Sequence, residues 1–127
     1  MATWDDVARI ALALPEATEG SSYGGTRSWR VRDKAFAWER PLRKADLAEL
    51  GTAAPAGPVL AARVPDVGAR AELIADSPSI YFTTGHFTGF PAVLVDLAAI
   101  DVPELTELLT EAWACRAPKR LVAQHRT

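Results

Sequence analysis

A single cysteine, Cys115, and only two histidines, His86 and His125, stand in the 127 residues. One thiol excludes an internal disulfide, and no Cys/His cluster has the spacing of a structural zinc site, so no metal or cofactor is expected. No apolar run approaches the ~20 residues needed to span a bilayer. The opening MATWDDVARI is acidic where a secretory signal would be basic, and a cytoplasmic location is expected. Positive charge is also in deficit: the formal net charge is -2, against the basic surface that phosphate contacts favour. The motifs G-x-S-x-G, H-E-x-x-H and the phosphate loop are missing, and YGGTR lacks the spacing of the last. The chain is therefore read as binding rather than turning over a substrate, with no catalytic set assigned.

What is present is locally well patterned. One domain over 1–127 is expected from the length. Thr3 and Asp6 form a capping box ahead of a helical stripe of Trp4, Val7, Ala8, Ala11 and Leu14, ended by Pro15. Residues 15–25 read as a polar loop. TRSWRVRDKAFAWER reads as two strands turning near Asp33 and Lys34, which would pair Val31 with Phe36 and Trp29 with Trp38 on one face. RKADLAELG is a short helix with Gly51 beyond its end, Val59 to Val64 a strand, and Pro65 to about Asp76 a helix facing inward through Val67, Ala71 and Ile74. Ile80 to Thr83 and AVLVDL are strands, the second apolar enough to be covered on both faces. Asp101 and Glu104 cap a helix with the stripe Leu105, Leu108, Leu109, Ala112 and Trp113, stopped by Pro118. Residues 119–127 read as a partly frayed tail. The predicted class is α+β, an antiparallel sheet covered by helices in the order α-β-β-(short α)-β-α-β-β-α, with all four tryptophans mostly buried.

Two regions carry candidate chemistry. Seven of the fourteen Lys and Arg lie between Arg27 and Lys44. There Arg27, Arg30, Arg32, Lys34 and Arg40 either contact phosphates or form a solvated sheet face. Trp29 and Trp38 either stack on bases or pack the core. Arg116, Lys119 and Arg120 either contact phosphate or complement the end of the last helix's dipole. The second region is YFTTGHFTGFP, too long for a simple hairpin. His86, Thr84 and Thr88, with Tyr23 from the neighbouring loop, are candidates for holding a small anionic ligand. The competing reading has these groups bonded to the loop's own backbone while Phe87 or Phe90 anchors it. Cys115 is read as a packing residue.

Four segments, LALPEATEG, SWRVRDKAFAWERP, FTTGHFTGFPAVLVDL and LTEAWACRAPKRLV, resemble the MmcQ/YjbR family of small bacterial proteins. The resemblance spans nearly the whole chain. It implies a double-wing-like α/β fold and weak, salt-sensitive DNA binding, for which the basic residues named above are the candidates. The alternative is a small-molecule or protein-binding module built on the Tyr23 and His86 loops.

Overall fold

Arg32 and Asp33 both have positive φ, 50° and 64°, the backbone of a two-residue turn whose twist suits antiparallel strands. A computed structural model describes residues 1–21 and 25–126, and in it this turn joins β2 (Arg27–Val31) to β3 (Lys34–Glu39). The turn falls one residue earlier than predicted, and the register differs accordingly: Val31 pairs with Lys34, Arg30 with Ala35, Trp29 with Ala37 and Ser28 with Trp38. Phe36 is the extra residue of a bulge, so Phe36 and Ala37 both enter the core with Trp29 and Val31. Trp38 goes to the opposite face. The expected Trp29–Trp38 pair does not form; Trp29 stacks instead on Trp4, ring centroids 6.2 Å apart.

Before this hairpin lies a strand where a loop was expected. β1 (Ala17–Ser21) pairs antiparallel with β2. Its Thr-Glu-Gly-Ser composition reads as a turn, but as an edge strand it buries little and is tied by side chains: Glu19 accepts from the Arg27 guanidinium at 2.9 and 3.1 Å and from the Trp29 indole at 3.1 Å. With β4 (Val59–Arg63), β5 (Tyr81–Phe82) and β6 (Ala92–Asp96), the sheet is antiparallel in the order β1-β2-β3-β4-β6-β5. β6 is interior and its first four residues are buried, as its apolar run predicts. β5 is shorter than expected.

Four of the helices, those starting at Trp4, Val67, Val102 and Lys119, pack on one face. α1 (Trp4–Leu12) starts on the capping box: the Thr3 hydroxyl accepts from the Asp6 amide at 3.2 Å and the Asp6 carboxylate accepts from the Thr3 amide at 2.9 Å. α4 (Val102–Arg116) buries Leu105, Leu108, Leu109, Ala112 and Trp113 against β3, β4 and α1. The Trp113 indole donates to the Pro15 carbonyl at 3.0 Å. α3 (Val67–Asp76) is capped by Asp66. It faces the core through Ala69, Leu73 and Ile74; Val67 and Ala71, expected inside, are exposed. The expected frayed tail is a further helix, α5 (Lys119–Arg126), which rests Leu121 and Val122 on the core.

The other face of the sheet has no helix comparable to α4. Val59, Ala61, Ala92 and Leu94 are covered there by Phe87, Leu42 and Trp38, from segments around a short helix α2 (Lys44–Leu50) and the 83–91 loop. Gly51, at φ 57°, closes α2 in a conformation that side chains disfavour. This sparse cover leaves a cleft.

Candidate functional site

The 83–91 loop is held rigidly by residues the sequence did not single out. Arg70 of α3 donates from one nitrogen, Nη1, to three backbone carbonyls, Phe87 at 3.0 Å, Phe90 at 2.9 Å and Ala92 at 3.2 Å. From the other side the Glu49 carboxylate of α2 accepts from the Gly85 amide at 2.9 and 3.1 Å. Phe87 is buried as the anchor, and Phe90 is 40% exposed. The loop thus combines the two readings open at the sequence level: its Gly85, Phe87, Thr88 and Phe90 amides are bonded, and His86 is left on the wall of a cleft.

That cleft encloses ≈ 800 Å³ on the sheet face opposite the helices. β2 contributes Ser28, β3 Trp38 and Glu39, β4 Arg63, the loop His86 and Phe90, and α4 reaches it with Arg116. Arg43 adds a further cation at its rim, and Thr26 brings in the segment before β2. Arg63 and Arg116 decide its character. Each has a buried Nε without a hydrogen-bond partner, and among the described residues neither forms an ion pair with a carboxylate. Burial lowers the Arg63 pKa, and the nearby Arg116 charge lowers it further. The Phe90 ring lies over Arg63, 4.7 Å from the guanidinium carbon. Two desolvated, mutually repelling cations with spare donors make a pocket that favours an anion.

The residues expected to contact nucleic acid are dispersed. Arg27 is bonded to Glu19 and lies 5.3 Å from the Trp29 ring centroid. Arg32 is paired with Glu16, one of its contacts being 3.1 Å. Arg30 donates to Ser28 Oγ at 3.2 Å on the cleft face of the sheet, and Lys34 is exposed. Arg40 is not a surface residue at all: it is buried, 3.1 Å from the Asp46 carboxylate, and donates to the Pro41 carbonyl at 2.5 Å. A phosphate would have to displace that pair. Lys119 and Arg120 are exposed on α5 and do not line the cleft.

Among the ligand candidates, His86 lines the cleft, whereas Thr84 is buried and Thr88 exposed, neither on its wall. Tyr23 lies outside the described residues. The Thr84 hydroxyl makes no well-formed hydrogen bond but faces Asp46 closely enough to favour its charge. Burial raises the Asp46 pKa, but the Arg43 amide, the Arg40 charge and Thr84 together outweigh it and hold the carboxyl below its ordinary value. Arg63 was missed although it carries a signal, being the charged end of an otherwise apolar strand, VLAAR.

The family model described as YjbR matches residues 12–115. The chain belongs to the YjbR family. An uncharacterized protein of Mycobacterium tuberculosis, Rv2570, and its counterpart Mb2600 of Mycobacterium bovis are each 54% identical to it over 125 residues, covering 96% of this chain and 94% of theirs. The crystal structure of the Deinococcus radiodurans protein DR2400, a DUF419 domain, superposes with a TM-score of 0.65 at 21% identity, over 89% of this chain and 77% of that one. This likeness is one of fold, and the YjbR match adds the family; neither names a ligand.

Proposed function

We propose that this YjbR-family protein is a non-enzymatic binding module whose sheet-face cleft holds an anionic ligand. The observation that carries the reading is the convergence of Arg63 and Arg116, each with an orphaned buried Nε–H and no acidic partner among the described residues. Most other arginines of the sheet and its flanks are neutralised, by Glu16, Glu19 or Asp46, so unspent positive charge concentrates in the cleft. The helix side is the reverse. A groove between α3 and α4 is walled by Glu72, Asp76, Asp101, Glu104, Glu107 and Glu111, with Arg63 the one cation on its lining among the described residues. A net charge of -2 therefore hides two faces of opposite sign, and an anion is steered to one of them. The lone unbridged Cys115 fits a reducing cytoplasm.

Calorimetric titration with inorganic pyrophosphate tests the proposal. Saturable binding that weakens at least ten-fold in Arg63→Ala and in Arg116→Ala, but not in Arg27→Ala, is expected, since a charge-assisted pair is worth about 1.5–3 kcal/mol. Equal affinity in all four proteins ends the reading.

Weak nucleic-acid binding is the second reading, favoured by Arg30, which stands on the same sheet face as Ser28 and so extends the basic surface beyond the cleft. It requires anisotropy of a labelled duplex to rise at low salt and the salt slope to fall by about one unit in Arg30→Ala. No salt-sensitive binding at low ionic strength eliminates it.

A further inference from the structure

We infer that the ligand of this cleft is a nucleoside monophosphate, with its phosphate between Arg63 and Arg116 and its base against Trp38. This rests on the anion-binding reading and specifies its ligand class.

Three observations carry it. The first is size: ≈ 800 Å³ is far more than one phosphate fills and lies within the range of pockets for drug-sized ligands. The second is the aromatic lining. Trp38 is half-buried and Phe90 is 40% exposed, and both open into the same cleft as the arginines. An indole on a cavity wall is a stacking surface tolerant of base identity, and the Phe90 ring, lying over Arg63, adds apolar wall beside the cation.

The third is polarity along the cleft. Glu39 and Arg63 both line the cleft; the β4 residue opposite Glu39 is Leu60, a helix-side core residue three positions from Arg63, so Glu39 stands at the rim of the cleft, about 10 Å from Arg63 along the sheet. Trp38, opposite Ala61, lies between these ends. One carboxylate oxygen of Glu39 accepts from the Arg27 amide at 2.6 Å. A ligand matching this series is anionic at one end, planar in the middle and a hydrogen-bond donor at the other. A bare phosphate or a long acidic chain offers only the first of these. In a nucleoside monophosphate, the phosphate meets the two guanidinium forks, the ring meets Trp38, and hydroxyl or amino hydrogens meet Glu39.

Calorimetry on the full chain compares inorganic phosphate, the four ribonucleoside monophosphates and the corresponding nucleosides. At least one monophosphate should bind about ten-fold more tightly than either phosphate or its own nucleoside, the margin stacking supplies. Trp38→Phe should cut that margin several-fold. Glu39→Gln, which keeps an oxygen for the Arg27 amide, should lower nucleotide affinity while leaving or raising that of phosphate. If phosphate binds as tightly as every nucleotide, and Arg63→Ala abolishes both, the cleft is an anion site and the nucleotide assignment is wrong. If neither phosphate nor nucleotide binds, the anion-binding reading falls with it.

Discussion

Replacing Asp46 by alanine should expose how the floor of the cleft is held. Asp46 and Arg40 meet at 3.1 Å with only 5% and 7% of their side chains exposed. The same carboxylate accepts from the Arg43 amide at 2.9 Å in the first turn of α2. Arg40 lies 5.3 Å from the centroid of the Phe87 ring that anchors the 83–91 loop. Removing Asp46 leaves a buried cation held, among the described residues, by one side-chain hydrogen bond to the Pro41 carbonyl and by the Phe87 ring. Breaking a buried pair on one side costs about 3–5 kcal/mol. The pair lies just beneath the surface, so the lower end applies, about 3 kcal/mol. For a chain of this length that is a fall in Tm of roughly 10–15 °C. The penalty arises from the orphaned charge, so Arg40→Leu combined with Asp46→Leu should recover most of it. The pH dependence has a definite sign. The folded-state pKa of Asp46 is lowered, so its contribution is complete above the unfolded value of about 3.9 and is lost as pH falls through the folded value. Asp46→Ala should therefore flatten the acid limb of stability measured by urea denaturation. A loss below about 1 kcal/mol in Asp46→Ala at neutral pH, with no recovery in the double variant, would refute the reasoning.

Trp113→Ala should cost about 3–5 kcal/mol in a denaturant melt, because the side chain is fully buried and bonded to Pro15; a loss under about 1 kcal/mol would contradict its place in the core. Arg70→Ala frees three carbonyls of the 83–91 loop, and hydrogen exchange at the Thr88 and Phe90 amides should quicken about ten-fold while β6 stays protected; unchanged protection would show that the loop holds itself. Changing Arg32-Asp33 to Asn-Gly should raise stability by about 0.5–1 kcal/mol, because both positions have positive φ and the Arg32–Glu16 pair that is lost is exposed; a fall in thermal melting would contradict the turn assignment.

The sequence made visible those features whose signal is local and repeated. The α4 stripe from Leu105 to Trp113 and the Thr3–Asp6 capping box were legible because helical period and capping chemistry are written within a few residues. β1 was not, because an edge strand tied by Glu19 needs no alternation of apolar residues. The hairpin register escaped because the bulge at Phe36 inserts a residue that pattern alone cannot place. α3 was found, but only in part its inward face: Ile74 packs on the core as expected, Ala69 and Leu73 join it in place of Val67 and Ala71, and no side chain of the helix is fully buried, so its apolar stripe is a weak signal. The basic cluster in the hairpin was visible as composition, yet three of its seven charges, Arg32, Arg27 and Arg40, are spent on Glu16, Glu19 and Asp46. The unspent pair, Arg63 and Arg116, comes from β4 and α4 and meets only in the folded chain.

The central claim is that these two guanidinium groups wait for an anion, and their side-chain Nε–H signals report on it directly. In a ¹⁵N-resolved NMR titration with pyrophosphate, the Arg63 and Arg116 Nε–H resonances should shift together and saturate at one equivalent, while those of Arg27 and Arg32, already bonded to Glu19 and Glu16, stay in place. Shifts of equal size at all four arginines, or none at Arg63 and Arg116, would contradict the account.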